Sequence, residues 1–292
     1  MRELSFLVPN EYDGIGLKSF LRSYCGISSR LMIRLKREPR GITNNDLHAI
    51  VTDILKAGDI VRIRMPDDQK QHEPLSLPLA VVYEDSDVLV VNKPADMPMY
   101  PTPGHDCDSL ANVVAAYFLS MEERLAFRPV YRLDKDTTGL VVLAKNSYCA
   151  AHLAAKIEKE YIAVCEGNLF GSGMIKEPIG LKVGHKIQRE VTENGDMAIT
   201  LWKELQCGSG HTLLSFHLKT GRTHQIRVHM SHAGHPLAGD DLYGGSLQLI
   251  KRQALHCMGI HFVHPVTKKN LNFSSDMPDD MKDLMDACGM EK

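Results

Sequence analysis

At 292 residues, 43% apolar and 24% charged, the chain is long enough to bury one large core plus a smaller unit, and its composition excludes wholesale disorder. It has no run of about 18 apolar residues, and its start, MRELSFLVPNEYDG, lacks a leader's basic and apolar regions; a soluble, cytoplasmic chain with no membrane partner is expected. Seven scattered cysteines without a C-x-x-C pair disfavour both a disulfide framework and a zinc site, and the net charge of −2 is uninformative until its distribution is considered.

Residues 14–65 carry ten Lys or Arg against four acids, an excess that marks a nucleic-acid handle. Leu17, Phe20, Leu21 and Tyr24 recur at helical spacing, and Ser28 or Ser29 is placed to cap a second helix containing Leu31, Met32 and Leu35. Arg30, Arg34 and Arg37 fall at i, i+4 and i+7, which predicts a guanidinium stripe, with Lys36 beside it. Asn44-Asn45-Asp46 marks a turn, and LKAGDIVRIRM a tight turn into an alternating strand. Residues 66–78, with Pro66, Pro74 and Pro78, read as a linker between a small basic unit over 1–65 and a larger domain over 79–292.

The larger domain opens with LAVVYEDSDVLVVNKP, two apolar strands around Asp85-Ser86-Asp87, the second ended by Pro94. Asp108 or Ser109 can cap a helix running to about Leu119. A β-rich run over 139–144 follows, then a helix holding Ala150, Ala151, Leu153, Ala154 and Ile157, then the strand YIAVCEG. Strands interleaved with few helices and no βαβ repeat predict an α+β domain on a mixed, mostly antiparallel sheet. In TGRTHQIRVHMSHAGHP, Thr223 is a candidate N-cap of a helix through Ala233, with Gly234 as its stop and Pro236 beyond. Ile226, Met230 and Ala233 would share its apolar face, and Arg227 would project beside that face, within reach of a carboxylate from another segment.

Asp134, in PVYRLDKDTTGLVVLAKN, admits three readings. Its spacing to Asp136, Thr138 and Gly139 imitates the start of an EF-hand loop, but the twelfth position, which should be Glu, is Lys145. Asp and Thr also suit a hydrogen-bonded turn. The third reading is a catalytic carboxylate flanked by Arg132. His224, His229, His232 and His235 include pairs at metal-binding spacing, yet no H-E-x-x-H pattern or nearby Cys accompanies them, so no metal is expected.

The whole segment YRLDKDTTGLVVLAK closely resembles the signature of the RluA family of RNA pseudouridine synthases. Further stretches resemble that family in order over roughly 79–285: VVYEDSDVLVVNKPADMPMYP its opening hairpin, KEYIAVCEG the strand supplying its active-site Tyr, here Tyr161, LKTGRTHQIRVHMSHAGHPLAGDDLYGG its second signature, and RQALHCMGIHFVHPVT its closing segment. Tyr100 and Tyr131 stand where many members have His. GISSRLMIRLKREPRGI followed by LKAGDIVRI resembles the small α/β RNA-binding domain shared with ribosomal protein S-four, although Asn44-Asn45-Asp46 departs from the Asn-Gly turn usual there.

The resemblance implies a pseudouridine synthase fold and a monomeric isomerase that acts on RNA, above all large-subunit ribosomal RNA, without cofactor or metal. It implies Asp134 as nucleophile or electrostatic partner at the ribose, Arg227 as its ion partner, Tyr161 as stacking ring and proton relay, and Arg132 beside a flipped-out uridine. Arg222, His224, Arg30, Arg34, Lys36 and Arg37 are the expected RNA contacts. Two alternatives from other classes are a non-catalytic RNA-binding protein and a metal-dependent hydrolase built on the histidines of 224–235.

Overall fold

A computed structural model describes residues 2–66, 71–154 and 156–290. In IVRIRM, alternation of apolar and polar residues makes β4 (Ile60–Met65) a strand that buries Val61, Ile63 and Met65. It pairs with the opening segment, β1 (Arg2–Leu7), which is thus a strand as well, and with β2 (Ile42–Asn44). β3 (Leu47–His48) completes a four-stranded sheet of order β1-β4-β2-β3. Asn45 and Asp46, joining β2 to β3, both take positive φ, the conformation a two-residue hairpin turn needs. The Asp59 carboxylate holds this turn without glycine, accepting from Asn44 Nδ2 at 2.9 Å and Asn45 Nδ2 at 2.7 Å.

α1 (Leu17–Ser23) and α2 (Ser29–Arg37) cover this sheet. Ser28 is the cap of α2, its hydroxyl accepting from the Leu31 N–H at 3.2 Å. Tyr24 lies past the end of α1, half exposed and stacked on Phe20. Arg30, Lys36 and Arg37 are exposed on α2, and Arg34 is half-buried.

The larger sheet has ten strands in the order β10-β9-β11-β12-β8-β13-β7-β6-β5, with β14 paired to β13. In chain order these are β5 (Val81–Glu84), β6 (Val88–Lys93), β7 (Thr138–Ala144), β8 (Glu158–Glu166), β9 (Ser172–Leu181), β10 (Arg189–Val191), β11 (Asp196–Cys207), β12 (His211–Leu218), β13 (Leu255–Val263) and β14 (Asn270–Ser274). Among the described residues only β7 and β13 pair in parallel, and there Gly139 is required: at φ 115°, a Cβ on it would stand 2.3 Å from the Cys257 carbonyl oxygen. The sheet is mixed and mostly antiparallel, and the fold is α+β.

The sheet is flanked by α3 (Leu110–Ser120), α4 (Ser147–Leu153), α5 (Gln225–His232) and α6 (Asp279–Ala287). α3 begins after Ser109, whose N–H donates to the Asn112 side chain at 3.1 Å. The helix expected to include Ile157 instead runs from Ser147 to Leu153: Asn146 caps its start by accepting from the Cys149 N–H at 2.9 Å, and at Ala154 the backbone leaves the helix with ψ 125°. Ile157 lies beyond it, buried in the core, and Ala155 is outside the described residues.

The N-terminal sheet and the larger sheet share a core. Leu4, Cys25, Met32 and Met65 from the first 65 residues cluster with Ala144, Tyr148 and Cys149. Arg2 donates to both oxygens of the Asp87 carboxylate at 2.9 and 2.7 Å, and Asn146 donates to it at 2.8 Å. Of the segment read as a linker, residues 67–70 lie outside the described residues. Further along it, Leu75 N–H donates to the Asn112 carbonyl at 3.1 Å and fastens the chain to α3. All seven thiols are free, five of them buried.

Candidate active site

Just before β7 the chain turns on itself, the Thr137 N–H donating to the Asp134 carbonyl at 3.1 Å, so the turn reading of Asp134 holds for its backbone. Two buried cations clamp that turn. Lys93 Nζ, at the end of β6, donates to the Lys135 carbonyl at 2.8 Å and to the carbonyls of Pro94 and Met97. Burial pushes the Lys93 pKa down to about 7. Arg252 Nη1 donates to the Asp136 carbonyl at 3.1 Å, and Asp280 at the start of α6 holds Arg252 by two bonds of 2.6 and 2.8 Å. The Asp134 side chain therefore leaves a fixed backbone, which a reacting group requires.

The helix that faces it, α5, starts differently from the expectation. Thr223 is not its cap: His224 precedes the helix with φ 56° and ψ 23°, and no side chain caps the first turn. The Gln225 side chain organises the loop instead, accepting from Thr220 Oγ1 and the Arg222 N–H and donating to the Ile199 carbonyl and Thr200 Oγ1. At the other end, Gly234 takes φ 83°, its N–H donating to the Ser231 carbonyl and that of His235 to the Met230 carbonyl, a Schellman stop where glycine was expected. Ile226 and Met230 are buried as expected, whereas Ala233 is exposed.

From α5, Arg227 reaches two carboxylates. Its Nε and Nη2 donate to Asp240 at 2.7 and 2.8 Å, and Nη1 donates to Asp134 Oδ2 at 3.0 Å. The guanidinium lies over the Tyr243 ring, 5.0 Å from its centroid. Burial acts to lower the Arg227 pKa, but Asp240 and then Asp134 outweigh it and raise the value above the ordinary arginine range. Asp240, 1% exposed, escapes sequence reasoning, although its string LAGDDLYGG lies inside the second signature. Asp134 is 26% exposed, and its Oδ1 accepts no hydrogen bond from a described residue.

Arg132, Asp134, Tyr161, Arg222, His224 and Arg227 line one pocket. Tyr161 projects from β8 and is 6% exposed; burial first, then Cys257 and Asp134, raise its phenol pKa far above the usual value. Arg132 is exposed at the pocket mouth. None of Arg30, Arg34, Lys36 and Arg37 lines this pocket, since they lie on α2. Tyr131 donates to the Leu140 carbonyl at 2.8 Å, and Tyr100 packs edge-on against Phe127.

Two other histidines of the second signature serve the fold. His229 is buried, with Nδ1 2.8 Å from Thr200 Oγ1 and Nε2 3.2 Å from the Glu177 carbonyl, and His235 Nδ1 lies 2.9 Å from the Glu166 carbonyl. A separate group, Asp85, Asp87 and His264, has metal-ligand proximity. Its donors are already used: Asp87 is held by Arg2 and Asn146, and His264 Nδ1 accepts the N–H groups of Val266 and Thr267, which leaves the ring proton on Nε2, facing Asp85 at 3.1 Å. Asp85 in turn accepts from Tyr83 Oη and from the Asp87 and Val88 N–H groups, while His264 Nε2 makes no hydrogen bond to a described residue.

An arginine-held, half-satisfied carboxylate beside a buried tyrosine, on a mostly antiparallel sheet, is the arrangement the family resemblance implies, and residues 87–232 match the family model described as RNA pseudouridylate synthase. The chain belongs to that family and is an RNA pseudouridine synthase. Over 268 residues it is 37% identical to the uncharacterized RNA pseudouridine synthase YjbO of Bacillus subtilis, covering 89% of this chain and 95% of the relative. It is 36% identical over 247 residues to ribosomal large subunit pseudouridine synthase D of Vibrio cholerae serotype O1, covering 78% of this chain and 76% of the relative. Among solved structures, human RNA pseudouridylate synthase domain containing 1 matches with a TM-score of 0.57 and 26% identity, over 70% of this chain and 86% of that chain. No helix among the described residues is long and apolar enough to cross a membrane.

Proposed function

We propose that the protein isomerises uridines of large-subunit ribosomal RNA, with Asp134 as the reacting carboxylate. The observation that carries this is the asymmetry of that carboxylate: one oxygen is held by Arg227 at 3.0 Å and the other is free to face a substrate in the pocket. The ribosomal assignment rests on relatives named as large-subunit ribosomal enzymes.

In the isomerisation the bond from ribose C1′ to uracil N1 breaks, the base turns, C1′ joins C5, a proton leaves C5 and N1 gains one. Asp134 acts at C1′, either by bonding to it or by stabilising its positive character, and Arg227 fixes the carboxylate's aim. Tyr161 offers a flat ring against the uracil, and its raised pKa keeps the phenol protonated, so its hydroxyl serves as a donor. A stacked uridine cannot reach this carboxylate and must be flipped in; the exposed Arg132 stands where it can fill the vacated space. Around this site, Arg222 contacts RNA, and the small N-terminal unit, with Arg30, Lys36 and Arg37 outward, adds an RNA-binding surface.

Release of tritium from 5-tritiated uridine in a large-subunit ribosomal RNA transcript tests the reading. The unaltered protein should release label, and Asp134→Asn should reduce release by more than about 1,000-fold while RNA binding survives. Absence of release by the unaltered protein from any RNA overturns it.

A further inference from the structure

His224 occupies a position that a merely structural histidine would not need. It adopts a left-handed backbone conformation, strained for an L-residue, at the wall of the pocket, and the Gln225 network holds the loop in it. Its ring is mostly buried, packed edge-on against Tyr243 at 5.7 Å between centroids. Its Nε2 faces Asp134 Oδ2 at 3.8 Å, too long for a hydrogen bond and close enough for both to meet one bound nucleotide.

The hydrogen bonds around Tyr243 bear on which nitrogen carries the proton. The Arg189 backbone N–H can only donate, and it donates to Tyr243 Oη at 2.9 Å. Among the described residues His224 Nδ1, at 2.8 Å, is the acceptor within reach of the phenol's single proton, so a Tyr243 with its proton satisfied donates to it. Nδ1 is thus an acceptor, and the neutral ring bears its proton on Nε2, on the pocket side.

We propose that His224 is a catalytic hydrogen-bond donor to the uracil: its Nε2–H, fixed in one tautomer by Tyr243, binds a carbonyl oxygen of the base as the ring separates from the ribose. The inference rests on the proposed isomerisation. When the C1′–N1 bond breaks with its electron pair on the base, negative charge spreads onto the uracil carbonyls, and a preorganised N–H beside them stabilises that charge without transferring a proton. Tyr243 is a positioning residue, acting through His224.

The neutral ring is the working form. Protonation at Nδ1 would reverse the Tyr243 bond and draw the cationic ring onto Asp134, occupying the carboxylate. The charged groups facing His224 are Asp134, Arg227 from α5, Asp240 beside it and Arg189 from β10. Burial first, with Arg227 and Arg189, outweighs the two carboxylates and lowers the His224 pKa below 6.5. Activity is therefore full at neutral pH and falls as pH drops through that lowered value.

The test uses the full-length protein and the 5-tritiated ribosomal transcript. His224→Met and His224→Gln share the strained backbone and similar length, but only Gln keeps a donor near the Nε2 position. His224→Met should lose roughly 100-fold in kcat, the loss of one preorganised donor, with His224→Gln recovering most of it and lacking the acid limb of the unaltered enzyme. In 15N NMR of histidine-labelled protein, His224 should be the Nε2–H tautomer at neutral pH, and Tyr243→Phe should leave it a mixture with reduced kcat. Equal activity of the Met and Gln variants in an otherwise active enzyme, or an Nδ1–H tautomer, overturns the inference alone. An unaltered protein inactive on every RNA overturns the isomerisation reading and this inference with it.

Discussion

Two arginine–aspartate clusters organise this protein, and they treat their carboxylates in opposite ways. Where the N-terminal sheet meets the larger one, Asp87 is 3% exposed and accepts two bonds from Arg2 and one from Asn146. In the pocket, Arg227 spends two of its three donating nitrogens on Asp240 and only one on Asp134. Asp87 is buried with both oxygens engaged and so is closed to a substrate, whereas Asp134 is aimed by one bond and otherwise open. The comparison teaches that the openness of the oxygens, rather than the presence of an ion pair, separates a joint from the proposed reaction centre.

The largest effect that would test this contrast is on the partner of the arginine that holds Asp134. Asp240→Asn leaves the Arg227 cation buried with a weaker partner, which should cost about 3 kcal/mol of stability. The looser Arg227 should also lower kcat roughly 100-fold, as small misplacements of reacting groups do. Tritium release together with urea denaturation measures both. Full activity in Asp240→Asn would mean that Arg227 is aimed without Asp240 and would break the comparison.

A smaller effect is expected at the joint. Arg2 is 36% exposed, so solvent screens the charge that Asp87→Asn would leave unpaired, and the loss should be about 1 kcal/mol, with kcat on a short RNA unchanged. Amide hydrogen exchange should show the loss concentrated in β1 and β4. A fall in kcat comparable to that of Asp240→Asn would show that the two clusters do not differ in kind.

The smallest effect belongs to the outer face of the N-terminal unit. Replacing Arg30, Lys36 and Arg37 together by Ala should reduce the slope of log affinity against log salt by about 2, as expected for three lost phosphate contacts. Filter binding across a salt series measures it, and an unchanged slope removes this surface from RNA recognition.

Much of the fold was legible because its elements announce themselves locally. The alternation in IVRIRM, the Ser28 cap, the Asp85-Ser86-Asp87 turn and the Gly234 stop each depend on neighbours a few residues apart, and each appears where expected. β1 escaped because its role comes from pairing with β4 nearly 60 residues later, and α4 was misplaced because Asn146 caps it ahead of the alanine run.

The sequence by itself determined the strand and helix content, the family, and the identity of the residues that converge: Asp134, Tyr161, Arg227 and Arg132 line one pocket. Only the tertiary structure decided how they are used. Arg227 meets Asp134 across 93 positions of chain and meets Asp240 more tightly; Lys93 and Arg252 clamp the Asp134 turn from β6 and from the segment before β13; and Tyr243 Oη meets His224 Nδ1. The reason is physical: spacing along a chain encodes which side chains share a face, but the partner of a buried charge is set by packing between elements distant in sequence.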